Sequence, residues 1–347
     1  MRLLVCAMET SSNVHLKELK KYLNDDVELL GVFDKELGKP LYDLTHLAIM
    51  GFIDAIKKLR FFFKLRDELV DLAKDCDKVL LMDSSGFNLP LAKKLKQRYP
   101  NKEIIYYILP QAWAWKKKRV EKLEKFCTKL CSIIPFESEI YNDKEKITYV
   151  GHPLLDEIDG YKTTLEKTNK IIYMPGSRKT EIVNHMDVFR ELTKHIKDKE
   201  HILIIPSKFD EEYIRKTYGD ISSFTISNDA HALLKEAEFG FICSGTATLE
   251  ASIIGTPFVM SYVAKKLDYF IGRQFVKLPF IGLANIFFHK MGKEPIHKEF
   301  FQEEVNVENL LNEYKNMNRH NYLKNSQELR DYLQFGSSKN VAKIIQN

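Results

Sequence analysis

Two short runs of small residues have the composition of phosphate-binding turns. One is Ser244-Gly245-Thr246-Ala247 and the other is Pro175-Gly176-Ser177, each placed between an apolar run and a helix-like segment. Small side chains let backbone N–H groups and the positive end of a helix dipole approach a phosphate. Glu250 lies about one and a half turns into the helix-like segment that starts at the first run, within reach of ribose hydroxyls. The alternative is a tight strand–helix turn followed by a solvated glutamate.

Arg178 opens the helix-like segment after the second run. Its charge has the same sign as the positive end of the helix dipole, so this is an unfavourable position for a free cation. The arrangement is favourable if an anion such as a diphosphate binds there. The alternative is an exposed arginine that lies over the turn.

Two acidic residues follow apolar runs of the first half of the chain. Asp83 begins the segment Asp83-Ser84-Ser85-Gly86-Phe87-Asn88, and Glu9 begins Glu9-Thr10-Ser11. An aspartate at the carboxyl end of a parallel strand can accept a proton from an attacking hydroxyl group. Both segments could instead be helix caps, since Asp, Ser and Thr are favoured there.

Both tryptophans of the chain lie in Trp113-Ala114-Trp115, and a basic run, Lys116-Lys117-Lys118-Arg119, follows directly. Aromatic rings beside cations suit a sugar phosphate or a lipid headgroup. They also suit a single nucleic-acid strand, and a pair of core tryptophans before a solvated helix start is a further alternative.

The segment Ile49–Leu69 combines an apolar stripe at helical spacing with many cations and few acids. Such a stripe usually faces the protein core. The interleaved cations are also typical of a helix that lies on an anionic membrane surface. We predict membrane contact for Phe52, Ile53, Ile56, Leu59, Phe62 and Phe63.

Short apolar runs alternate with amphipathic segments along the whole chain, as in parallel sheets covered by helices on both faces. The predicted strands of the first half are Leu3–Met8, Val27–Val32, Lys78–Met82, Glu103–Ile108 and Leu130–Ile134. Those of the second half are Lys170–Met174, His201–Ile205, Phe239–Cys243 and Phe258–Met260. The sequence therefore predicts an α/β protein with two doubly wound, Rossmann-like domains facing across a cleft, where ligands of such folds bind.

The strand–helix alternation pauses after Gly151-His152-Pro153, where a charged stretch with few apolar residues follows. We place the domain boundary there. The predicted domains are residues 1–155 and residues 156–320. Residues 321–347 are predicted to form a C-terminal helix that packs back on an N-terminal domain.

Bulk composition limits the class of protein. The formal net charge of +5 suits an anionic partner but is too small to indicate nucleic acid by itself. The five cysteines have no metal-site spacing, so we expect reduced, buried thiols and no metal. The N-terminus is too polar for a signal peptide, and no apolar run reaches the ~18 residues of a membrane span. We therefore expect a cytoplasmic protein.

In chain order these motifs resemble those of the lipid-A-disaccharide synthases, the glycosyltransferases that join two acylated glucosamine units of the outer-membrane lipid of Gram-negative bacteria. The match covers nearly the whole chain. The segments that carry it are Glu9–Ser11, Ala48–Phe52, Asp83 with Phe87-Asn88, Trp113–Trp115 with Lys118–Val120, Pro135–Glu137, Val150–Pro153, Pro175–Glu181 and Ser244–Glu250.

The resemblance implies a GT-B fold and an inverting reaction. It implies that residues 1–155 form the domain on the acceptor and membrane side and that residues 156–320 form the domain that binds the UDP-sugar. A 2,3-diacylglucosamine unit would pass from UDP to 2,3-diacylglucosamine 1-phosphate, with release of UDP. It implies an acylated UDP-sugar and an acylated sugar phosphate as partners, peripheral attachment to the cytoplasmic face of the inner membrane, and no cofactor. The family also allows a homodimer.

The resemblance further implies roles for single residues. Asp83 is the expected general base, with Glu9 as the alternative, and Arg178 would stabilise the leaving diphosphate. The expected donor-binding residues are Gly176, Ser177, Ser244, Gly245, Thr246, Ala247, Glu250 and Gln302. Those on the acceptor side are Glu9, Thr10, Ser11 and Trp115.

This chain departs from the family pattern at several positions. Met8 and Ser12 replace glycines, Asn13 replaces an aspartate, and Gly86 replaces a second acid after Asp83. The family's Leu-Pro-Asn stretch is Leu283-Ala284-Asn285 here.

Three other functions share some of these features. Other UDP-sugar transferases, such as one acting on lipid-linked muramyl intermediates, and UDP-sugar epimerases have the same architecture. An epimerase needs no membrane-facing helix, which the Ile49–Leu69 segment predicts. A non-catalytic nucleic-acid-binding module is disfavoured by the modest charge and by the lack of an RNA-binding motif.

Overall fold

The computed structural model describes residues 1–43, 55–115, 118–165, 168–264 and 279–347; the side chains of residues 55–58 and 115 are not described. The chain divides into two compact units. Unit 1 comprises Met1–Glu157 and Leu333–Asn347, and unit 2 comprises Ile158–Tyr332.

Unit 1 is built on a six-stranded parallel sheet of order β2-β1-β3-β4-β5-β6. Its strands are β1 Arg2–Ala7, β2 Glu28–Val32, β3 Lys78–Met82, β4 Glu103–Tyr107, β5 Lys129–Ser132 and β6 Ile147–Tyr149. Its helices are α1 Thr10–Lys20, α2 Ala55–Leu72, α3 Ser85–Arg98, α4 Ala112–Trp115, α5 Lys118–Phe126, α6 Leu154–Glu157 and, near the C-terminus, α14 Ser337–Gln346.

Both faces of this sheet are buried, which explains why its strands are almost continuous apolar runs. In β1, Leu4 and Cys6 enter the core cluster under α2 and α3. The alternate residues Leu3, Val5 and Ala7 enter the cluster on the opposite face.

Unit 2 repeats the design with a six-stranded parallel sheet of order β12-β11-β10-β7-β8-β9. Its strands are β7 Lys170–Met174, β8 Glu200–Ile204, β9 Thr225–Ser227, β10 Phe239–Cys243, β11 Phe258–Tyr262 and β12 Glu299–Phe301. Its helices are α7 Lys179–His195, α8 Glu211–Tyr218, α9 Ala230–Glu236, α10 Thr246–Ile254, α11 Leu283–Lys290, α12 Val307–Asn316 and α13 Tyr322–Leu333, whose last residue begins the final part of unit 1.

Two parallel, helix-covered sheets confirm the predicted fold class. The nine predicted strands are present, with shifts of one or two residues at some ends. The sequence prediction missed β6, β9 and β12, which lie at sheet edges and have three residues each. So short an edge strand contains too few apolar residues to give a pattern.

The region predicted as one C-terminal helix forms two helices, α13 and α14, which belong to different units. Gln334 and Gly336 between them have positive φ angles of 51° and 88°, which end a helix. Tyr322 of α13 packs near Phe258 of unit 2. Val341 of α14 is buried in the core of unit 1.

Candidate functional site

Asp83 lies in a strained turn at the carboxyl end of β3. Asp83 and Ser84 have φ angles of 48° and 38°, in the left-handed region that non-glycine residues rarely adopt. The Tyr106 hydroxyl donates to the Asp83 carbonyl oxygen at 2.5 Å, and the buried Asn88 amide donates to the same oxygen at 3.0 Å. Such strain persists where neighbouring groups over-determine the backbone, often at functional sites.

Glu9 and Asp83 follow neighbouring strand ends, because Ala7 of β1 is paired with Met82 of β3. The Ser84 hydroxyl donates to Oε1 of Glu9 at 2.8 Å. Glu9 holds the N-cap position of α1, but its side chain makes no capping hydrogen bond. The N-cap of α3 is Ser84 and not Asp83. Neither acid therefore caps its helix through its side chain, and both remain candidates for the general base.

The environment of Asp83 raises the pKa of its carboxyl group. Burial is the largest cause, and the charge of Glu9 adds to it. The Ser84 N–H and the charge of His15 act in the opposite direction. A raised pKa brings a carboxylate closer to the strength that a general base needs near neutral pH.

Asn13, which replaces the family's aspartate, fixes the loop that carries Glu9. Its buried amide donates to the carbonyl oxygens of Ala7 and Glu9, both at 2.8 Å. Its Oδ1 accepts from the Asp34 N–H at 2.7 Å. The exposed residues Thr10 and Ser11 follow Glu9 in the first turn of α1.

The tryptophan segment is described only in part. Trp113 is half-buried and packs edge-to-face on Phe136, with ring centroids 5.1 Å apart, so Trp113 belongs to the packing of unit 1. The side chain of Trp115, which we predicted on the acceptor side, lies outside the described residues.

In unit 2 the two runs of small residues follow adjacent strands, since Met174 of β7 is paired with Ile242 of β10. A Cβ atom on Gly176 would lie 3.3 Å from Sγ of Cys243, the residue before Ser244. The structure therefore brings the two candidate phosphate-binding turns together at the carboxyl ends of two neighbouring strands.

Glu181 organises the turn before α7. Its Oε2 accepts hydrogen bonds from the Ser177 and Arg178 N–H groups, each at 3.2 Å, and its Oε1 accepts from the Arg178 guanidinium at 2.8 Å. The Arg178 side chain is 78% exposed, whereas Glu181 is buried. Arg178 is thus an exposed cation tethered beside a helix N-terminus.

The turn before α10 is open. Gly245 is exposed and extended, with φ 158° and ψ −168°. Among the described residues other than Gly245 and its two chain neighbours, no heavy atom lies within 4 Å of where a Cβ on Gly245 would be. Thr246 is also exposed, while Ser244 and Ala247 are half-buried. Backbone N–H groups at this helix start are therefore accessible to a phosphate.

Two further residues that we predicted to bind the donor, Glu250 and Gln302, contact other polar groups of unit 2. Oε2 of Glu250 lies 3.4 Å from Nε2 of His231, so Glu250 is not a merely solvated glutamate. The Gln302 amide accepts from the Ala264 N–H at 2.8 Å and donates to the Ala264 carbonyl oxygen at 3.1 Å. These bonds fix the chain after β11, and a donor contact of Gln302 stays a prediction.

Sequence reasoning gave no role to Asn88, Glu181 or His231. Glu181 could have been found from its position three residues after Arg178, the spacing of a capping box. The hydrogen bonds of Asn88 and the pairing of His231 with Glu250 depend on the fold, and no local pattern indicates them.

Helix α2 presents part of the predicted membrane-contact surface. Leu59 and Phe63, one turn apart, are 55% and 48% exposed. The Arg66 guanidinium lies 5.1 Å from the Phe63 ring centroid. Phe62 is half-buried against Phe87, with ring centroids 5.9 Å apart, so Phe62 packs on the core. Phe52, Ile53 and the side chain of Ile56 lie outside the described residues.

The described part of the chain has no membrane-spanning helix and no cluster of metal ligands. No helix in it is long and apolar enough to cross a membrane. No group of three or more His, Cys, Asp or Glu side chains in it could hold a metal ion.

Each unit is a parallel sheet covered by helices; unit 2 carries paired phosphate-type turns and unit 1 carries an acid at a strand end. These features define a two-domain protein of the GT-B fold class. Solved structures agree on the fold. The Neisseria meningitidis UDP-GlcNAc 2-epimerase bound to UDP-GlcNAc has a TM-score of 0.64 at 12% identity, covering 100% of both chains. The S. aureus MnaA structure with UDP has a TM-score of 0.66 at 13% identity, covering 99% of this chain and 96% of that one. The calicheamicin glycosyltransferase CalG4 has a TM-score of 0.60 at 9% identity, covering 99% and 97%.

The sequence shows the family. The family model described as lipid-A-disaccharide synthetase matches residues 3–346. The lipid-A-disaccharide synthase of Helicobacter acinonychis (strain Sheeba) is 48% identical over 99% of this chain and 97% of its own length. That of Campylobacter jejuni (strain RM1221) is 46% identical over 99% and 98%. The chain belongs to the lipid-A-disaccharide synthetase family, whose role is in lipid A biosynthesis.

Proposed function

We propose that the protein transfers 2,3-diacylglucosamine from UDP to 2,3-diacylglucosamine 1-phosphate in a single inverting displacement. The products would be the tetraacyl disaccharide 1-phosphate and UDP. Family membership supports the reaction class. The observation that carries the assignment of roles is Asp83, a half-buried carboxyl group in a strained turn beside Glu9.

Asp83 would act as the general base. It would accept the proton of the acceptor's 6-hydroxyl group as that oxygen attacks the anomeric carbon, while the bond from that carbon to the diphosphate oxygen breaks. The raised pKa of Asp83 supports this role. Glu9 is less suited to it, because it is exposed and already accepts the Ser84 hydroxyl hydrogen.

Unit 2 would bind the UDP part of the donor. The open turn Ser244-Gly245-Thr246 would place backbone N–H groups and the α10 dipole against the diphosphate. Arg178 would stabilise the charge that grows on the leaving diphosphate, without a metal ion. Its exposed side chain and its tether to Glu181 support this role. Glu250 would hold the ribose, and Gly176 and Ser177 would shape the neighbouring turn.

Attachment to the cytoplasmic face of the inner membrane would bring the protein to its acylated substrates. The exposed apolar side chains of Leu59 and Phe63 on α2, together with the exposed cations Arg60 and Lys64, support an interfacial position of this helix.

The test is an assay of the purified protein with both acylated substrates, with disaccharide and UDP as readouts. We expect product, a loss of turnover of about 10²-fold or more in Asp83→Ala, and a loss of about 10²-fold in Arg178→Ala. Lys194→Ala, which removes an exposed cation from the helix that Arg178 precedes, is the matched control and should keep full activity.

Two negative results would contradict different parts of the proposal, the reaction itself and the role of Asp83. Absence of product from the folded wild-type protein in the presence of lipid would refute the proposed reaction. Near-normal turnover of Asp83→Ala at saturating substrate would remove Asp83 as the base, and Glu9→Gln would then be the variant to measure.

A further inference from the structure

The ion pair between Arg178 and Glu181 has one fixed end and one exposed end. The Glu181 side chain is 8% exposed, whereas the Arg178 side chain is 78% exposed. Oε2 of Glu181 accepts the N–H groups of Ser177 and Arg178, and Oε1 accepts from Nη1 of the Arg178 guanidinium at 2.8 Å. The backbone therefore anchors the carboxylate, and the carboxylate holds the guanidinium.

The same carboxylate limits what the turn before α7 can bind. The N–H groups of Ser177 and Arg178 are donors that a phosphate at this turn would use, and Glu181 accepts both of them. Glu181 lies in the first turn of α7, whereas the first turn of α10 contains no acidic residue. The turn before α10 is thus open to a diphosphate, and the turn before α7 is occupied by a carboxylate of the protein itself.

Arg178 can bind Glu181 and a second anion at the same time. A guanidinium has five N–H groups, and the bond to Glu181 uses Nη1. The turns at Arg178 and Gly245 follow strands that are paired in the sheet, so both lie at the same end of it. A free arginine loses much rotamer freedom when it binds a ligand, and an arginine that is already held by one nitrogen loses less.

We propose that Glu181 is a positioning residue for the transfer reaction: it holds the Arg178 guanidinium in place for the diphosphate bound at the Gly245 turn, and it excludes a phosphate from the turn before α7. This role rests on the proposed function, in which Arg178 stabilises the leaving diphosphate. Glu181 touches neither substrate and acts on the reaction through Arg178.

Two substitutions of Glu181 separate positioning from packing. Glu181→Gln keeps the volume of the buried side chain but replaces the carboxylate by an amide, whereas Glu181→Asp keeps a carboxylate that is one methylene shorter. We expect kcat to fall about tenfold in Glu181→Gln and about threefold or less in Glu181→Asp, because the long Arg178 side chain can follow the carboxylate. A side chain that only fills space would give the opposite order. Glu191→Gln, at an exposed position of the same helix, is the control and should keep the wild-type kcat.

A double-mutant cycle measures whether Glu181 acts through Arg178. Adding Glu181→Gln to Arg178→Ala should lower kcat by less than about twofold, because no guanidinium is left to position. Independent effects of the two residues would instead multiply. The inference is overturned by a wild-type kcat in folded Glu181→Gln, by a lower kcat in Glu181→Asp than in Glu181→Gln, or by multiplied losses in the double variant.

Calorimetric titration with UDP needs no turnover and separates this inference from the proposed reaction. UDP should bind about threefold more weakly to Glu181→Gln than to the wild type, and equally to Arg178→Ala with and without Glu181→Gln. This pattern in a protein that makes no disaccharide upholds the positioning role and refutes the reaction. Wild-type affinity of Arg178→Ala refutes the proposed role of Arg178 and the inference with it. Unchanged or tighter binding to Glu181→Gln, beside weakened binding to Arg178→Ala, refutes the inference alone.

Discussion

Oε2 of Glu181 occupies the space that a side chain at position 176 would need: a Cβ on Gly176 would lie 2.6 Å from it. Gly176 also has a φ of 102°, a conformation that only glycine adopts without strain. The glycine is therefore required by the protein's own capping carboxylate, whether or not a ligand binds. Gly245, in the neighbouring turn, has no such crowding from the described residues.

The two glycines should respond differently to alanine. Gly176→Ala should lower the free energy of unfolding by about 2 kcal/mol, from left-handed strain and displacement of Glu181. Gly245→Ala should cost less stability and instead raise KM for the UDP-sugar, because its methyl group would enter the space proposed for the diphosphate. Urea unfolding and steady-state kinetics measure the two effects. Equal stability losses with unchanged KM in Gly245→Ala would contradict this assignment.

The membrane-facing role of α2 can be tested on its exposed apolar pair. Leu59→Ser/Phe63→Ser should reduce binding to vesicles that contain anionic lipid several-fold, with little loss of stability, because both side chains are exposed. Tyr22→Ser/Ile226→Ser removes two exposed apolar side chains elsewhere and should bind as the wild type does. Phe62→Ser should instead destabilise unit 1, since Phe62 packs on Phe87. Undiminished sedimentation of the Leu59/Phe63 variant with vesicles would exclude this surface.

Glu137, at the end of the Pro135-Phe136-Glu137 motif, makes stability depend on pH. Its side chain is fully buried, with Oε2 hydrogen-bonded to Ser132 Oγ at 2.6 Å, and burial raises its pKa from 4.5 to about 8. The unfolded chain ionises this group above about pH 4.5, whereas the folded protein keeps it protonated to about pH 8. The stabilisation that protonated Glu137 gives the folded protein is therefore complete below about pH 4.5 and is lost as the pH rises to about 8.

Glu137→Gln should remove this dependence, since glutamine does not titrate. Between pH 5 and 8 the free energy of unfolding should fall less steeply with pH in the variant than in the wild type. The difference between the two slopes should be up to about 1.4 kcal/mol per pH unit. Urea titrations at both pH values measure it, and Glu139→Gln, at an exposed position of the same turn, is the control. Parallel pH dependences in Glu137→Gln and the wild type would show that Glu137 is ionised in the folded protein.

Features that depend on neighbouring residues in the chain could be predicted from the sequence. Strands such as Lys78–Met82 and Phe239–Cys243 are continuous apolar runs because both faces of each sheet are covered. Since ligand-binding residues of such folds follow strand ends, the same runs also located Asp83 and the turns at Gly176 and Gly245.

Features that depend on long-range contacts could not be predicted. The contact of His15 with Glu157 joins helices that are far apart in the chain. Likewise, the Gln302 side-chain amide accepts a hydrogen bond from the Ala264 N–H because β12 lies beside β11 in the sheet. The break between α13 and α14 was missed because Gly336 lies between two amphipathic segments that read as one helix.

The return of the chain to unit 1 has a consequence for synthesis on the ribosome. Val341, Ala342 and Ile345 of α14 are fully or almost fully buried in the core beneath β1, and Asp156 accepts the N–H groups of Gly336 and Ser338 at the start of this helix. These residues are translated after the whole of unit 2. Unit 2 can therefore complete its core while the earlier-made unit 1 still exposes the apolar groove for α14, and this groove is where a nascent chain would need protection by a chaperone.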